Sequence, residues 1–409
     1  MTKVVNSLRG SKAYGNDPDS RLWKPLKLGD KVLHHRIAMA PLTRYRAING
    51  VPNELMAEYY SQRTTKGGLL VTEATFISYE AGGYVNAPGI YNNDQIEAWK
   101  KITKAVHDKG GIIYCQLWQL GRANSGQDPN VKVVSASTTP FEGGKTPEQM
   151  TIADIKRYVE AFKHAAKSAM EAGFDGVELH GAHGYLLDQF LQASSNNTRH
   201  DEYSGSLENR ARFMLESLEA VASVVGQNRT AIRISPFSDF QGQGKEVDPY
   251  ETWSYVCNEI VKRLPKLSYV SITDPRLDSF TEEGKWSKQY TSDPFRAIFR
   301  GIKSPVSKLA TEATTVFPEP NEEYPTVVLA AGGYTPSDAA ETSNRTGDLI
   351  GYGRIFIANP DLVHRIQNGL VLNAYDRTTF YTQDEVGYTT YPFADADTKK
   401  FEPPNDSKL

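Results

Sequence analysis

The sequence predicts an α/β protein folded as a single-domain (β/α)₈ barrel. Eight apolar runs rich in Val, Ile, Leu and Tyr recur along the 409-residue chain, and each is followed by a segment of helical periodicity. Each run is nearly continuous in hydrophobicity, which is typical of parallel strands covered on both faces. An open doubly wound sheet would fit the same alternation, but no G-x-G-x-x-G motif follows any run. We therefore expect a closed barrel.

Each strand of the barrel is predicted from one of these runs. The predicted strands are residues 36–43, 68–76, 111–118, 176–181, 230–237, 269–275, 326–333 and 349–356. Before the first strand, the segment LWKPLKLGDKVLHHR predicts a β-hairpin that turns at Gly29-Asp30. We expect this hairpin to close the bottom of the barrel.

Capping residues mark the helices between the strands. Thr151, with Asp154 three residues later, predicts a capping box. Thr335-Pro336 and Asn359-Pro360 each place a capping side chain before a proline at the first helical position. Helices are also predicted over residues 93–109 and 206–225.

The ends of the chain differ from its middle in composition. We expect residues 1–21 to be a flexible N-terminal segment, residues 22–392 to form the barrel, and residues 393–409 to be a flexible tail. Residues 302–324 form a long polar connection before the seventh strand, which predicts an insertion that is either functional or mobile.

Composition excludes several classes of function. A net charge of −3 and a pI near 6.3 argue against binding to nucleic acid or to an anionic membrane. Cys115 and Cys257 are too few for a disulfide framework or an iron–sulfur cluster, and their apolar surroundings predict buried thiols. No apolar run is long enough to span a membrane, and the N-terminus lacks a signal peptide. We expect an intracellular soluble protein, monomeric or homodimeric.

The last three residues, Ser407-Lys408-Leu409, are a peroxisomal address that an import receptor reads. The preceding prolines predict a flexible end that a receptor can reach. The alternative is a chance tripeptide on a cytoplasmic protein.

Two glycine-containing segments lie where a barrel binds phosphate, after the seventh and eighth strands. Gly332 and Gly333 precede a helix start and leave backbone amides bare for an anion. Gly353 permits close approach, and Arg354 supplies a guanidinium for phosphate oxygens. Together they predict a phosphorylated cofactor or substrate.

Polar residues also end or interrupt apolar strands. Thr43 follows the first strand, Gln116 lies in the third and Arg233 in the fifth. An inward Gln or Arg destabilises a barrel unless a partner satisfies it. The partner is either a ligand or an interior hydrogen bond or salt bridge.

The fourth strand ends in ELHGAHGYLLDQF, which places His180, His183 and Tyr185 at the predicted mouth. Zinc would need further ligands, and no other histidine lies at the C-terminal end of a predicted strand. Two neutral imidazoles are good donors to a carbonyl oxygen that acquires negative charge, and a tyrosine can deliver a proton. A hydrogen-bonded histidine pair without a catalytic role is the alternative.

Several stretches resemble the old yellow enzyme family of FMN-dependent ene-reductases, in particular its fungal members. They are MAPLTRYRA, LLVTEATFIS, AGGYVNAPGIY, CQLWQLGRA, GFDGVELHGAHGYLLDQFLQ, DEYSGSLENRARF and IGYGRIFIANPDL. They occur in the family's order from about residue 22 to about residue 392. The resemblance implies an enzyme that takes hydride from NADPH onto tightly, non-covalently bound FMN and reduces the C=C bond of α,β-unsaturated carbonyl compounds (enones and enals).

The resemblance also implies a role for each matching residue. Hydride would pass from flavin N5 to the β-carbon, Tyr185 would protonate the α-carbon, and His180 and His183 would hold the carbonyl oxygen. Thr43 would adjust the flavin potential and completes the implied catalytic set. The residues implied to bind FMN are Pro41, Leu42, Thr43, Ala74, Gln116, His180, Arg233, Gly332, Gly333, Gly353 and Arg354. Those implied to bind substrate are His180, His183, Tyr185, Trp118, Phe240 and Tyr388.

The chain departs from the family pattern at His183 and Gly333, where asparagine is common, and in the length of segment 302–324. Two other functions remain open. One is a metal-dependent barrel lyase or aldolase acting on a phosphorylated substrate, with the histidine pair as metal ligands. The other is a flavin-binding redox sensor whose reductase activity is incidental.

Overall fold

The computed structural model describes residues 16–243, 248–275 and 289–400. A hairpin of β1 (Leu26–Leu28) and β2 (Lys31–Leu33) precedes the barrel. The barrel strands are β3 (Ile37–Met39), β4 (Leu69–Val71), β6 (Ile112–Trp118), β9 (Gly176–His180), β10 (Thr230–Ile234), β11 (Tyr269–Thr273), β12 (Val327–Ala331) and β13 (Leu349–Tyr352). The short strands are β5 (Thr75–Phe76), which extends β4 along β6, and the pair β7 (Val134–Ser135) and β8 (Glu148–Gln149).

Helices follow the strands as the sequence predicts. They are α1 (Glu54–Gln62), α2 (Asn93–His107), α3 (Ile152–Glu171), α4 (Leu186–Leu191), α5 (Leu207–Val225), α6 (Pro249–Arg263), α7 (Asp293–Phe299), α8 (Pro336–Thr346), α9 (Arg354–Ala358) and α10 (Leu362–Gln367).

The eight barrel strands are parallel and form a closed ring, because β3 pairs with both β13 and β4. All eight runs predicted from the sequence form these strands, so the predicted (β/α)₈ barrel is confirmed. Since the strands are parallel, their carboxyl ends meet at one mouth.

Alternation along the strands divides the apolar side chains into two cores. On β6, Cys115 and Leu117 face the outer helices and belong to one large cluster with Trp99 and Phe162. Tyr114, on the opposite face, belongs to a smaller cluster inside the barrel. This alternation fixes which residues point inward at the mouth.

The N-terminal hairpin closes the bottom of the barrel, as the sequence predicts. Leu26, Leu28 and Leu33 pack in the interior cluster with the first inward residues of the strands. Two ion pairs fasten the hairpin: Asp30 with Arg229 at 2.8 Å, and Lys31 with Asp175 at 2.9 Å. Arg229 and Asp175 directly precede β10 and β9, so these contacts lie at the N-terminal ends of the strands.

Most predicted caps are present. The Thr151 hydroxyl and the Asp154 carboxylate form the reciprocal capping box, and Thr335 caps α8. The cap predicted at Asn359 is wrong, because α10 begins at Leu362 after Asp361. The Asn359 amide instead bonds to the backbone of Ile355 and Asn373, which ties the end of α9 to the C-terminal segment.

The predicted segment boundaries shift at both ends. Arg21 N–H donates to the Asn344 side chain, and Val371 N–H donates to the Lys399 carbonyl at 2.9 Å. Residues 393–400 are therefore attached rather than free.

The Ser407-Lys408-Leu409 tripeptide lies outside the described residues, so peroxisomal import stays a prediction. Within the described ranges, no helix is both long and apolar enough to cross a bilayer.

Segment 302–324 runs along the outside of the barrel. Tyr290 and Leu309 form an antiparallel bridge near one end of the segment. Glu319 accepts a hydrogen bond from Arg36 at 2.9 Å, just before β3, and Phe317 is buried. The segment therefore reaches from the loop after β11, at the carboxyl ends of the strands, to Arg36 at the bottom of the barrel.

The hairpin turn yields a stability prediction. Gly29 has φ +57°, and an added Cβ would lie 1.9 Å from the Asn228 carbonyl oxygen. Gly29→Ala should therefore lower the free energy of unfolding by about 2 to 4 kcal/mol, from a left-handed alanine plus a backbone clash. Chemical denaturation of the purified protein measures this loss.

Gly205→Ala is the matched control, since Gly205 has φ +78° and nothing within 4 Å of the added Cβ. It isolates the conformational cost of about 1 kcal/mol. Equal losses for the two variants would show that the hairpin does not press against the barrel floor.

Candidate active site

The inward face becomes polar towards the mouth. Tyr114, Gln116 and Trp118 alternate along one face of β6, and Glu178 and His180 along one face of β9. Strand pairing sets Gln116 opposite Glu178, and Arg233 on β10 opposite His180. The sequence-predicted Gln116, His180 and Arg233 therefore meet at one end of the barrel.

His180, His183 and Tyr185 form a compact group after β9. The ring centroids of His180 and His183 are 5.8 Å apart, and those of His180 and Tyr185 are 4.7 Å apart. His183 has φ 55°, and its N–H donates to the Ser235 hydroxyl at 2.7 Å. This bond to the end of β10 holds a strained backbone that turns both side chains to the same opening.

Both imidazoles are kept neutral. Burial lowers the pKa of His180 well below its ordinary value, and the nearby His183 and Arg233 lower it further. Burial and Arg233 likewise lower the pKa of His183. The Ala182 N–H donates to His180 Nδ1 at 3.4 Å, which leaves the ring proton on Nε2 as a donor. The His183 Nε2 lies 3.4 Å from the Thr273 hydroxyl.

Tyr185 lies in an aromatic pocket that keeps it protonated. Burial raises the pKa of Tyr185 far above its ordinary value, and the Tyr84 and Tyr45 hydroxyls add to this, while a hydrogen bond from Gln241 opposes it. The Trp118 ring stands edge-on to Tyr185 with centroids 4.9 Å apart. A partly exposed phenol that holds its proton is suited to act as an acid.

Further predicted site residues lie at the ends of β3, β4 and β10. Pro41, Leu42 and Thr43 follow β3, and Ala74 follows β4. The Nε atom of Arg233 is buried without a hydrogen-bond partner in the structure. A buried guanidinium nitrogen left unsatisfied by the protein indicates a ligand that accepts from it.

The two glycine loops lie side by side, because Ala331 of β12 pairs with Gly351 of β13. Gly332 has φ +126°, and an added Cβ would lie 2.8 Å from the Asp274 carbonyl oxygen. Gly353 precedes α9 and touches Leu42, and Arg354 is the first residue of that helix. Gly333 is exposed beside them. The structure thus brings these four residues together, and their role in binding phosphate stays a prediction.

Tyr388 does not reach the mouth. It is fully buried and stacks on Tyr59 with centroids 4.1 Å apart, beneath the guanidinium of Arg46 at 4.6 Å. Tyr381, which the sequence did not single out, takes its place: its ring lies 5.5 Å from that of Tyr45 beside the pocket. We correct the predicted pocket residue from Tyr388 to Tyr381.

Two buried arginines fix the backbone of the C-terminal segment that carries Tyr381 and Tyr388. Arg44 donates to the carbonyls of Phe380 and Gly387, each at 2.9 Å, and Arg46 donates to the Phe380 carbonyl at 2.9 Å. These bonds fold the C-terminal segment onto the mouth. No local sequence pattern predicts such long-range carbonyl contacts.

Phe240 lies next to the loop that carries His183 and Tyr185. Its carbonyl oxygen would be 3.0 Å from a Cβ added at Gly184. The adjacent Gln241 has φ 58°, and its carbonyl accepts from the buried Arg122 at 3.0 Å. The segment after β10 therefore packs against Gly184, and the substrate-binding role of Phe240 stays a prediction.

Glu178 was also overlooked. It stands two residues before His180 in the same strand, so period-two alternation alone places it on the inward face. In the described ranges, no group of three or more His, Cys, Asp and Glu side chains is placed to hold a metal ion. Nothing in that part of the chain favours the metal-dependent lyase.

Comparison with known proteins identifies close relatives. Residues 21–373 match the family described as NADH:flavin oxidoreductase / NADH oxidase. The chain is 40% identical to the flavin oxidoreductase hxnT of Emericella nidulans, over 92% of this chain and 98% of that protein. It is 43% identical to 12-oxophytodienoate reductase 1 of Oryza sativa subsp. japonica, over 91% and 93%. The structure of morphinone reductase in complex with tetrahydroNAD superposes with a TM-score of 0.78 at 36% identity, over 93% and 99%.

A buried carboxyl beside the mouth makes stability depend on pH. Burial raises the pKa of Glu73 from 4.5 to about 7, although the Arg44 backbone N–H donates to it. Between these values the folded state holds a proton that the unfolded chain has lost, so stability falls as pH rises from 4.5 to 7, by about 3 kcal/mol. Glu73→Gln should remove this fall, which urea denaturation at pH 5 and pH 8 measures.

The exposed Glu322→Gln is the control for loss of a carboxyl group. Relative to Glu73→Gln, the wild-type protein should have a lower free energy of unfolding at pH 8 than it has at pH 5. A difference that stays constant with pH would show that Glu73 ionises as freely when folded as when unfolded.

Proposed function

Because the chain belongs to the NADH:flavin oxidoreductase / NADH oxidase family, also called the old yellow enzyme family, we propose that this FMN-dependent oxidoreductase oxidises NADPH and reduces the C=C bond of α,β-unsaturated ketones and aldehydes. The observation that carries the proposal is the set of neutral donors and protonated phenol formed by His180, His183 and Tyr185. They adjoin Gln116 and Arg233 at one opening.

The residues at the mouth fit FMN. Arg233 has a buried Nε atom without a partner, and the adjacent Gln116 can meet the polar edge of a flavin ring. Pro41, Leu42, Thr43 and Ala74 would hold its remaining edge and face. Gly332, Gly333, Gly353 and Arg354 would hold the phosphate, since bare amides and a guanidinium suit an anion. Bound FMN supplies the capacity to accept hydride from a nicotinamide and donate it to an alkene.

The side chains after β9 would activate the alkene. A neutral imidazole donates from Nε2 to the carbonyl oxygen of the substrate, and this bond strengthens as negative charge develops on that oxygen. The Ala182 N–H fixes the His180 ring, the Ser235 hydroxyl fixes the His183 backbone, and the Thr273 hydroxyl lies 3.4 Å from the His183 Nε2 atom. Preorganised donors lower the barrier because they need no reorientation during the reaction.

Tyr185 would complete the reaction by transferring the proton of its hydroxyl to the α-carbon. The Trp118 ring stands edge-on to Tyr185, and the Trp118 and Tyr84 rings, with centroids 5.7 Å apart, cover its approach. These aromatic walls exclude water from the developing charge. Three tyrosines, at positions 45, 84 and 381, line the outer part of the opening.

The names of related proteins bear on the identities of donor and substrate. The family description and the ligand of morphinone reductase name NAD-type nucleotides, so NADH is the competing donor. Two relatives are named reductases of 12-oxophytodienoate and of morphinone, names that denote ketones. This agrees with a carbonyl group held by the histidine pair.

Removing the Tyr185 hydroxyl should separate the two half-reactions. In Tyr185→Phe, reduction of the yellow holoprotein by NADPH should proceed at the wild-type rate, because this hydroxyl takes no part in it. Reoxidation by 2-cyclohexenone should slow by about 10² to 10⁴ fold, the usual contribution of a positioned acid. Anaerobic stopped-flow absorbance follows both steps, with NADH run beside NADPH.

Tyr324→Phe, which alters a partly exposed tyrosine just before β12 at the end of the barrel opposite the mouth, should leave both rates unchanged. Equal slowing of both half-reactions in Tyr185→Phe would contradict the proton-donor role. A wild-type protein that neither binds FMN nor is reduced by either nucleotide would refute the proposed function itself.

A further inference from the structure

One buried carboxyl group next to the site has no part in the chemistry above. Glu178 lies on β9 with no solvent exposure, on the same face as His180 and one layer deeper in the barrel. A carboxylate in the interior of a barrel is costly unless its neighbours compensate the charge. Its neighbours are therefore informative.

Glu178 orients Gln116. The Gln116 Nε2 donates to the Glu178 Oε1 at 2.7 Å, and the two residues are direct partners across β6 and β9. A carboxylate can only accept, so this bond determines which end of the amide faces it. The carbonyl oxygen of Gln116 is thereby left to accept from a ligand at the mouth.

Glu178 also balances Arg233. Both are on inward faces of adjacent strands, with Ala231 of β10 as the register partner of Glu178. Burial lowers the pKa of Arg233, and the charge of Glu178 opposes this effect. Burial raises the pKa of Glu178, and Arg233 and the Gln116 hydrogen bond oppose that. Glu178 is fully buried and Arg233 is only partly exposed, so the two charges act on each other over a longer range than they would in water.

The remaining neighbours of this pair are neutral. Tyr269 lies on β11 in the same layer as Glu178, and burial raises its pKa far above the ordinary value. Ser271, opposite Arg233 on β11, has a buried hydroxyl without a partner. Glu178 is thus the carboxylate whose charge acts on Arg233 from within the barrel.

We propose, on the basis of the proposed FMN-dependent function, that Glu178 is a positioning residue that tunes the reduction potential of bound FMN. It does so by holding the Gln116 amide and by offsetting the charge of Arg233. A flavin ring gains negative charge on two-electron reduction, and Arg233 stabilises that charge. The carboxylate opposes Arg233, lowers the potential and so keeps the reduced cofactor a stronger hydride donor.

Glu178→Gln tests the charge, because the amide keeps an oxygen that accepts from Gln116. The ratio of the FMN dissociation constants for the oxidised and reduced states should rise about tenfold, since the Arg233 charge is no longer offset. A tenfold change equals about 30 mV in a two-electron potential. Fluorescence titration and anaerobic redox titration with a reference dye measure the two quantities.

Tyr114→Phe is the matched control, because it removes a buried, neutral hydroxyl one layer below, which bonds to Ser268. It should change the ratio less than twofold. Glu178→Asp keeps the charge and shortens the reach to Gln116. It should retain the wild-type ratio while weakening the binding of oxidised FMN about fivefold, one hydrogen bond being worth about 1 kcal/mol.

A ratio unchanged in Glu178→Gln would overturn the proposal even in a protein that binds FMN and reduces enones. If Glu178→Gln fails to fold, Glu178→Asp provides the test. The proposal would be overturned if Glu178→Asp bound oxidised FMN with wild-type affinity, or if its ratio of dissociation constants for oxidised and reduced FMN shifted tenfold. Failure of the wild-type protein to bind FMN is a different result and would refute the proposed function first.

Discussion

In a closed parallel barrel every strand runs from one end to the same mouth, so residues at the strands' carboxyl ends meet whatever their separation along the chain. Alternation then decides which of them point inward. In this chain the inward positions change from apolar at the hairpin, such as Leu28, to polar at the mouth, such as Gln116, His180 and Arg233. The floor supplies stability, and the mouth holds polar groups that a bound ligand must satisfy.

Burial at the mouth of the barrel sets the ionisation states of the histidines and the tyrosine at the site. It keeps His180 and His183 neutral, so both donate without carrying a charge, and it keeps Tyr185 protonated. Arg233 remains charged because a guanidinium does not lose its proton in a protein. One environment therefore provides neutral donors, an acid and a cation.

The fold and the inner half of the site were predictable because each depends on local pattern. Apolar runs gave all eight strands, and the position of a residue at the end of a run gave Thr43, Gln116, His180, Arg233 and the glycine loops. Glu178 was equally predictable from its spacing to His180, yet an acidic residue in an apolar strand was not pursued.

The outer half of the site was not predictable in the same way. The choice of Tyr388 instead of Tyr381 failed because carbonyl contacts of Arg44 and Arg46 decide which tyrosine is buried. The cap at Asn359 failed because a distant partner, Asn373, occupies its side chain. Both errors arise where residues far apart in sequence compete for one side chain or one space.

In the proposed complex, two parts of the mouth bind two parts of FMN. The flavin ring lies beside β6, β9 and β10, and the phosphate binds to the loops after β12 and β13. Titration of the apoprotein with FMN and with riboflavin, which lacks the phosphate, tests it directly. Arg354→Ala should weaken FMN binding about tenfold or more and leave riboflavin binding unchanged, whereas Arg233→Lys should weaken both ligands equally. If Arg354→Ala weakens the binding of FMN and of riboflavin alike, or if Arg233→Lys weakens only the binding of FMN, this assignment of ring and phosphate to separate parts of the mouth is wrong.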